Sequence, residues 1–140
     1  MQRSAMRELA FQLIYELEMQ KNEENSEQLN IFIQNNEITD ENVMKYLKDI
    51  QEGLDENAEQ INQLIKNNLK QNWSLERVSK INLSLIKIAI YEMLYKDVPY
   101  KVAINEVIEL AKKYSDESAP TFINGMLASV VKEKNLDKKD

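Results

Sequence analysis

The chain has 140 residues, the size of a single compact domain that can bury a core without disulfides or metals. It contains no Cys and no His, which excludes thiolate nucleophiles, Ser-His-type triads and the commonest protein ligand of metals. The formal net charge of −6 argues against a strongly basic nucleic-acid binder. Two Gly and two Pro allow few tight turns, so we expect a nearly all-α fold.

The charge is uneven along the chain, because residues 1–70 carry 7 basic and 14 acidic side chains and residues 71–140 carry 11 and 10. An anionic partner should therefore prefer the second half. Residues 1–20 are too polar for a signal peptide, and no apolar run reaches membrane-spanning length. We expect a cytoplasmic protein with no membrane contact.

The first predicted helix runs from Ser4 to about Gln20, with apolar residues four apart. Arg3 and Arg7 lie at its start, where the helix dipole favours acids; this placement hints at a use, although most surface arginines are only solvated. Residues 22–25 form a polar linker. Ser26 then caps a short second helix that ends at residues 35–36.

A long third helix is predicted from residues 39–40 to about Leu69, because its apolar residues alternate steps of three and four. Gly53 is the weak point of this helix and costs about 1 kcal/mol relative to Ala. A bend at Gly53 and two abutting helices both stay open. The same stripe also allows a coiled-coil dimer, although a helix in a bundle core is the simpler interpretation.

Trp73 follows a polar break and marks a predicted hinge between two subdomains. Ser74 then caps a short helical turn. Ser79 caps a fifth element that is apolar on two faces, which predicts a central place in the bundle. A last helix begins near Pro120.

The sequence contains no Gly-rich phosphate loop, no metal-ligand spacing and no isolated pair of carboxylates, so it predicts no catalytic residue, no cofactor and no metal. An interaction module is the remaining class. Phe122 lies about 90° off the apolar stripe of the last helix. It is either an edge residue of the core or a stacking platform for an unpaired base.

Lysines and tyrosines near Phe122 suit single-stranded RNA, but acids interleaved with them weaken the field, so composition alone does not favour RNA. Asn105 and Asn124 are interpreted as structural, through helix caps or hydrogen bonds between helices.

Two runs identify a family: Asp97-Val-Pro-Tyr-Lys-Val-Ala-Ile-Asn-Glu-Val-Ile-Glu-Leu-Ala-Lys112, whose Pro99 opens a helix, and Phe122-Ile-Asn-Gly-Met-Leu127. With Ile88-Ala-Ile-Tyr-Glu-Met93 and a looser match at residues 7–15, they resemble the bacterial transcription antitermination factor NusB family. The resemblance implies an all-α bundle of about seven helices in two subdomains, residues 1–72 and 73–132, followed by a charged, frayed tail at 133–140.

The resemblance also implies a non-enzymatic factor that binds boxA, a short unpaired RNA element of nascent transcripts and notably of ribosomal RNA leaders. The family binds boxA with NusE, which is also a small-subunit ribosomal protein. The pair joins NusA, NusG and RNA polymerase to suppress termination. Family members are monomers or dimers, so a homodimer is compatible with the resemblance.

Matched residue by residue, the family's RNA-facing positions are Arg3, Arg7, Lys101, Tyr114 and Phe122, with Phe122 as the base-stacking residue. The surface for NusE is expected to include Glu76 and Lys80. The family usually begins with a run of basic residues and carries a basic residue just before the phenylalanine. This chain has only two arginines at its start, and the turn at residues 116–120, just before Phe122, has no basic residue. We therefore predict that tight boxA binding requires NusE.

Two alternatives stay open. One is a NusB-like helical adaptor with little RNA binding of its own. The other is a helper domain that assists an rRNA methyltransferase in trans, because the N-terminal domain of ribosomal RNA cytosine methyltransferases shares the implied fold.

Overall fold

The computed structural model describes residues 1–20 and 25–138, and the regular structure in this part of the chain is helical, without strands. It forms seven α-helices and two short 3-10 helices. The α-helices are α1 (Arg3–Met19), α2 (Asn25–Asn35), α3 (Glu41–Glu56), α4 (Ala58–Asn68), α5 (Lys80–Tyr95), α6 (Tyr100–Tyr114) and α7 (Ala119–Glu133). The 3-10 helices are Leu75–Arg77 and Leu136–Lys138. The predicted all-α fold of about seven helices is confirmed.

Helix α5 is the centre of the bundle. It packs against α1, α3, α4, α6 and α7. Its middle is fully buried on several faces, at Leu85, Ile86, Ile88, Ala89 and Ile90. Burial around most of the helix explains why its sequence is apolar on two faces, and it confirms the central place predicted from that pattern.

The long third helix was predicted as one element, and the structure divides it into α3 and α4 at Asn57. The Asn57 side chain donates a hydrogen bond to the Gly53 carbonyl at 2.8 Å, and the Asn57 backbone N–H donates to the same oxygen at 3.1 Å. Gly53 itself stays helical and buried. Of the two interpretations left open, two abutting helices is therefore correct, and the break lies at a side-chain cap rather than at the glycine.

Gly53 is required by packing. A Cβ atom at this position would lie 2.3 Å from the Tyr91 ring of α5, far inside van der Waals contact. The Tyr91 hydroxyl is held there by a hydrogen bond to the Asp49 carboxylate at 3.0 Å. The glycine lets α3 and an aromatic ring of α5 approach closely, which compensates for its low helix propensity.

Of the three predicted helix caps, the one at Ser79 is confirmed, the one at Ser26 is wrong, and Ser74 is the N-cap residue without a side-chain bond. The Ser79 hydroxyl accepts a hydrogen bond from the Asn82 backbone N–H at 3.1 Å, and α3 has a further cap, in which the Asp40 carboxylate accepts from the Asn42 N–H at 2.8 Å. Ser26 lies inside α2, because that helix already begins at Asn25. Ser74 caps only through its backbone carbonyl, which accepts from the Arg77 N–H at 3.0 Å, since its side chain forms no cap bond.

Residues 22–24 of the predicted linker at 22–25 lie outside the described residues. Residue 25 is the first residue of α2. The C-terminal tail differs from the frayed segment that was predicted. Asn135 adopts a left-handed φ of 56°, which reverses the chain after α7. Leu136 then packs its side chain into the core with 9% of its surface exposed. Residues 133–138 are therefore folded against the bundle, and residues 139–140 lie outside the described chain.

Helix α1 is attached to the second half of the chain by polar contacts. The Ser4 hydroxyl donates to Glu106 at 2.8 Å, and the Lys113 ammonium donates to Glu8 at 2.5 Å. Because both pairs advance together along the chain, α1 and α6 run in the same direction. One core cluster contains residues from all seven α-helices. The division into two subdomains stays a prediction.

Within residues 1–20 and 25–138, no helix is both long enough and apolar enough to cross a membrane.

Candidate nucleic-acid interface

Arg7 is the most buried of the predicted RNA-binding residues. Its side chain is 6% exposed, and its Nε atom donates to both carboxylate oxygens of Glu92, at 2.9 and 3.0 Å. Its Nη1 atom lies 3.3 Å from Glu106. Burial acts to lower the pKa of Arg7, but the hydrogen bond and the charge of Glu92 outweigh it, so the pKa is raised. The guanidinium thus joins α1 to α5 and α6 and offers little surface to a phosphate.

Arg3 differs from Arg7 although both lie in the first turns of α1. Arg3 is exposed and lines a surface cavity together with Tyr46, Asp49 and Lys96. Within the described residues its guanidinium forms no ion pair, whereas Lys96 pairs with Asp49 at 3.4 Å. Arg3 is therefore available to an anion in solution.

Lys101 is exposed in the first turn of α6. Its ammonium lies 6.0 Å from the centre of the Tyr100 ring, at the limit of a cation–π contact, and it forms no ion pair with another described residue. Lys101 is the second predicted cation whose charge is free.

Tyr114 is half-buried between α6 and α1. Its hydroxyl donates to Glu8 and accepts a hydrogen bond from Gln12 at 3.1 Å. Its ring lies 4.9 Å from that of Phe11, centre to centre. The hydrogen bonds from Lys113 and Tyr114 hold the pKa of the Glu8 carboxyl below its usual value. The hydroxyl and part of the ring of Tyr114 are thus already used to hold α1 against α6.

Phe122 lies in the first turn of α7 and is half-buried. Its ring stacks on the ring of Trp73, with centres 6.1 Å apart and planes inclined by 28°. Trp73 is 49% exposed, more than Phe122, although it was predicted only as a hinge residue. One sequence signal points to this exposure: Trp73 is the single tryptophan, and it lies in a polar break outside any apolar stripe, where no core position is expected.

The five predicted RNA-binding residues do not form one cluster. Arg3 and Lys101 lie near the N-terminal ends of α1 and α6, which are parallel. Tyr114 lies at the C-terminal end of α6, and Phe122 lies just across the short connection to α7. At 1.5 Å per residue, the two groups are about 20 Å apart along α6. A ligand that contacts both groups must be extended, as a single strand of several nucleotides is.

The two residues predicted to face the protein partner lie where the first 3-10 helix meets α5. Glu76 is exposed, and Lys80, the first residue of α5, is half-buried. They are four residues apart, and Trp73 precedes Glu76 by three residues, so the predicted protein-binding surface lies next to the Trp73–Phe122 pair along the chain.

Asn105 and Asn124 lie on opposite walls of a groove between α6 and α7, together with Ile104, Ile108 and Thr121. Both amides are exposed and form no hydrogen bond with another described residue. Their interpretation as caps or inter-helix hydrogen bonds is wrong, because α6 and α7 contact each other through their apolar faces and leave both amides to water.

Among the described residues, no group of three or more acidic side chains is placed to hold a metal ion.

Comparison with known proteins assigns the fold and the sequence to one family. The sequence model of the NusB family matches residues 4–132. A protein of Ruminiclostridium cellulolyticum named transcription antitermination protein NusB is 43% identical over 133 residues, which cover 94% of this chain and 90% of the relative.

Two solved structures have the same architecture. NusB of T. maritima superposes with a TM-score of 0.88 at 29% identity, covering 99% of both chains. A chain in a structure of antitermination factors NusB and NusE in complex with dsRNA gives a TM-score of 0.83 at 22% identity, covering 94% of this chain and 96% of that one. The sequence match over nearly the whole chain, together with this fold, establishes that the chain belongs to the NusB family.

Proposed function

We propose that this chain is a transcription antitermination factor that binds boxA RNA together with NusE and supports antitermination by RNA polymerase. The match to the NusB family over residues 4–132 is the observation that carries the proposal, since this family consists of non-enzymatic, RNA-binding antitermination factors. The solved assembly of NusB, NusE and dsRNA supports NusE and RNA as the partner classes. NusA and NusG complete the proposed antitermination complex.

The RNA path runs from the free cations to the aromatic pair. Arg3 and Lys101 contact phosphates at one end, and Phe122 lies beside a base at the other. Arg7 and Tyr114 support the path by holding α1 against α5 and α6, because their polar atoms are already bonded within the protein. Recognition by a few phosphate contacts and base stacking suits an unpaired element.

The surface for NusE includes Glu76 and Lys80, beside the aromatic pair. A protein that docks there would lie next to RNA bound at Phe122 and could contact the same nucleotides. Of the three predicted RNA-binding cations, only Arg3 and Lys101 form no ion pair with another described residue, so these positions contribute few phosphate contacts. We therefore propose that NusE supplies the missing contacts and that tight boxA binding requires both proteins.

An electrophoretic mobility shift experiment tests this proposal. A labelled boxA RNA is titrated with the chain alone, with NusE alone and with an equimolar mixture, and a scrambled RNA of equal length is the control. The mixture should bind boxA at least tenfold more tightly than either protein alone and should not retain that advantage on scrambled RNA. Equal affinity of the mixture for both RNAs would refute boxA recognition. Equal affinity of the chain alone and the mixture would refute only the need for NusE.

A further inference from the structure

The exposed ring of Trp73 is the largest aromatic surface beside the proposed RNA path, and the family's base-stacking position does not account for it. Trp73 lies in the segment between α4 and α5 and is 49% exposed. A tryptophan normally buries most of its surface. Its side chain is large and apolar, so its burial contributes strongly to the stability of the fold. About half of this residue is nevertheless exposed to solvent, and its ring stacks on that of Phe122.

The position of the ring is fixed by local structure. The Trp73 backbone N–H donates to the Lys70 carbonyl at 3.0 Å, closing a four-residue turn. Asn72, the third residue of this turn, has a φ of 80°, the value that a type II turn needs at that position and that Asn tolerates better than most residues. The ring itself stacks on that of Phe122, with centres 6.1 Å apart. The backbone turn and this ring contact thus hold Trp73 in place before any ligand arrives.

The surroundings of Trp73 are basic in an acidic protein. Residues 70–80 carry three basic side chains and one acidic side chain, whereas the whole chain has a net charge of −6. Lys70 and Arg77 are exposed, and neither forms an ion pair with another described residue. The Lys70–Trp73 turn and the hydrogen bond from the Arg77 N–H to the Ser74 carbonyl hold the backbone of this short segment, in which the two cations lie three and four residues from Trp73 along the chain. An aromatic face between free cations suits a base with a phosphate on either side.

We propose that Trp73 is a further RNA-binding residue, which stacks on an unpaired base next to Phe122 while Lys70 and Arg77 contact the flanking phosphates. This proposal rests on the proposed function and extends its site from one ring to a pair. Phe122 is half-buried and backs the tryptophan, so the larger exposed stacking surface belongs to Trp73. A protein partner would also value an exposed tryptophan, but the two free cations favour the polyanion.

Intrinsic fluorescence tests the stacking directly, because Trp73 is the only tryptophan in the chain. The complex with NusE is titrated with boxA RNA under excitation selective for tryptophan. The complex that contains Trp73→Phe gives the emission of NusE alone, which is subtracted. Stacking of a base should quench the Trp73 emission in step with binding, and scrambled RNA should not quench it.

Affinity measurements on variants complete the test. Trp73→Ala should weaken boxA binding on the order of tenfold, and Trp73→Phe should retain most of the affinity. Lys70→Gln and Arg77→Gln should each flatten the salt dependence by about 0.7 in log–log slope. Matched controls lie at distant helix ends: Tyr95→Ala removes another exposed aromatic residue, and Lys134→Gln removes another exposed cation. Neither control should change RNA affinity.

The outcomes separate the two proposals. If the wild-type complex binds boxA but its Trp73 emission is unchanged and Trp73→Ala binds equally well, the assignment of Trp73 is wrong and the proposed function stands. If Trp73→Ala weakens NusE binding without RNA and leaves RNA affinity intact, Trp73 is a protein contact and the assignment is also wrong. If the wild-type complex does not distinguish boxA from scrambled RNA, the proposed function itself fails.

Discussion

Replacing Arg7 by Gln removes the guanidinium that pairs with Glu92 and Glu106, and Arg3→Gln removes an exposed guanidinium from the same helix. The two arginines are four residues apart and look alike in the sequence. The structure assigns them opposite roles, since the Arg7 side chain is 6% exposed whereas Arg3 is exposed and unpaired among the described residues. Arg7→Gln should therefore destabilise the fold, and Arg3→Gln should weaken RNA binding.

The size of the Arg7 effect follows from its partners. The Glu92 side chain is also 6% exposed, so the variant leaves a carboxylate buried without its cation. Breaking a buried ion pair in this way costs about 3–5 kcal/mol. Glu106 adds little, because its side chain is 26% exposed and regains water. A loss of 3 kcal/mol lowers the melting temperature of a domain of this size by about 10 °C.

Thermal and chemical unfolding of both variants, with RNA affinity measured at several salt concentrations, provides the assay. Arg3→Gln should unfold within about 0.5 kcal/mol of the wild type and flatten the salt dependence of boxA binding by about 0.7 in slope. The double variant Arg7→Met/Glu92→Leu should recover most of the lost stability, because it removes both charges together. If Arg7→Gln melts at the wild-type temperature and reduces the salt slope as Arg3→Gln does, Arg7 is an RNA contact and not a structural ion pair.

Three further substitutions test local features by unfolding experiments. Gly53→Ala should lower the free energy of unfolding by about 1–2 kcal/mol, because its methyl group would lie 2.3 Å from the Tyr91 ring and the strain exceeds a gain in helix propensity of about 1 kcal/mol. Glu8→Gln should destabilise near neutral pH and lose its effect in acid. Lys113 lowers the folded-state pKa of Glu8, so the stability it confers is present above the usual value of 4.5 and disappears as the pH falls through the lowered pKa. Asn72→Gly should be nearly neutral, whereas Asn72→Val should cost about 1–2 kcal/mol at a φ of 80°.

Each of these predictions has its own control. In a Tyr91→Ala background, Gly53→Ala should stabilise the protein through helix propensity alone, and equal destabilisation in both backgrounds would contradict the steric argument. For Glu8→Gln, a loss of stability that is the same at all pH values would show that the ion pair is not its cause. Equal stability of Asn72→Gly and Asn72→Val would mean that the turn before Trp73 does not form.

Features that depend on neighbours in sequence could be predicted. The cap at Ser79 uses a side chain three residues from its partner, and the central place of α5 follows from its own apolar pattern. The break between α3 and α4 could not be predicted from spacing, because the apolar stripe continues across it. The sequence pointed to Gly53 as the weak point, while the Asn57 side chain ends α3 four residues later.

Features that depend on distant residues could not be assigned from the pattern. Arg7 and Glu92 are 85 residues apart, so nothing near Arg7 distinguishes it from Arg3. One signal was present, since Glu92 is an acid within the apolar stretch of α5, and a buried carboxylate requires a cation. The Trp73–Phe122 pair likewise joins two segments that the sequence shows only as a polar break and an off-stripe aromatic residue.

The contacts that tie α1 to α6 also set an order for folding during synthesis. Glu8 finds its partners Lys113 and Tyr114 only 105 and 106 residues later in the chain. At about 5–20 residues per second, the ribosome needs roughly 5–20 s to make that length, and until then α1 lacks its partners on α5 and α6. Long-range closure of this kind slows folding and leaves the nascent chain open to chaperones and proteases. Helix α1, which is synthesised before the other six α-helices described here, is thus among the last of them to be secured.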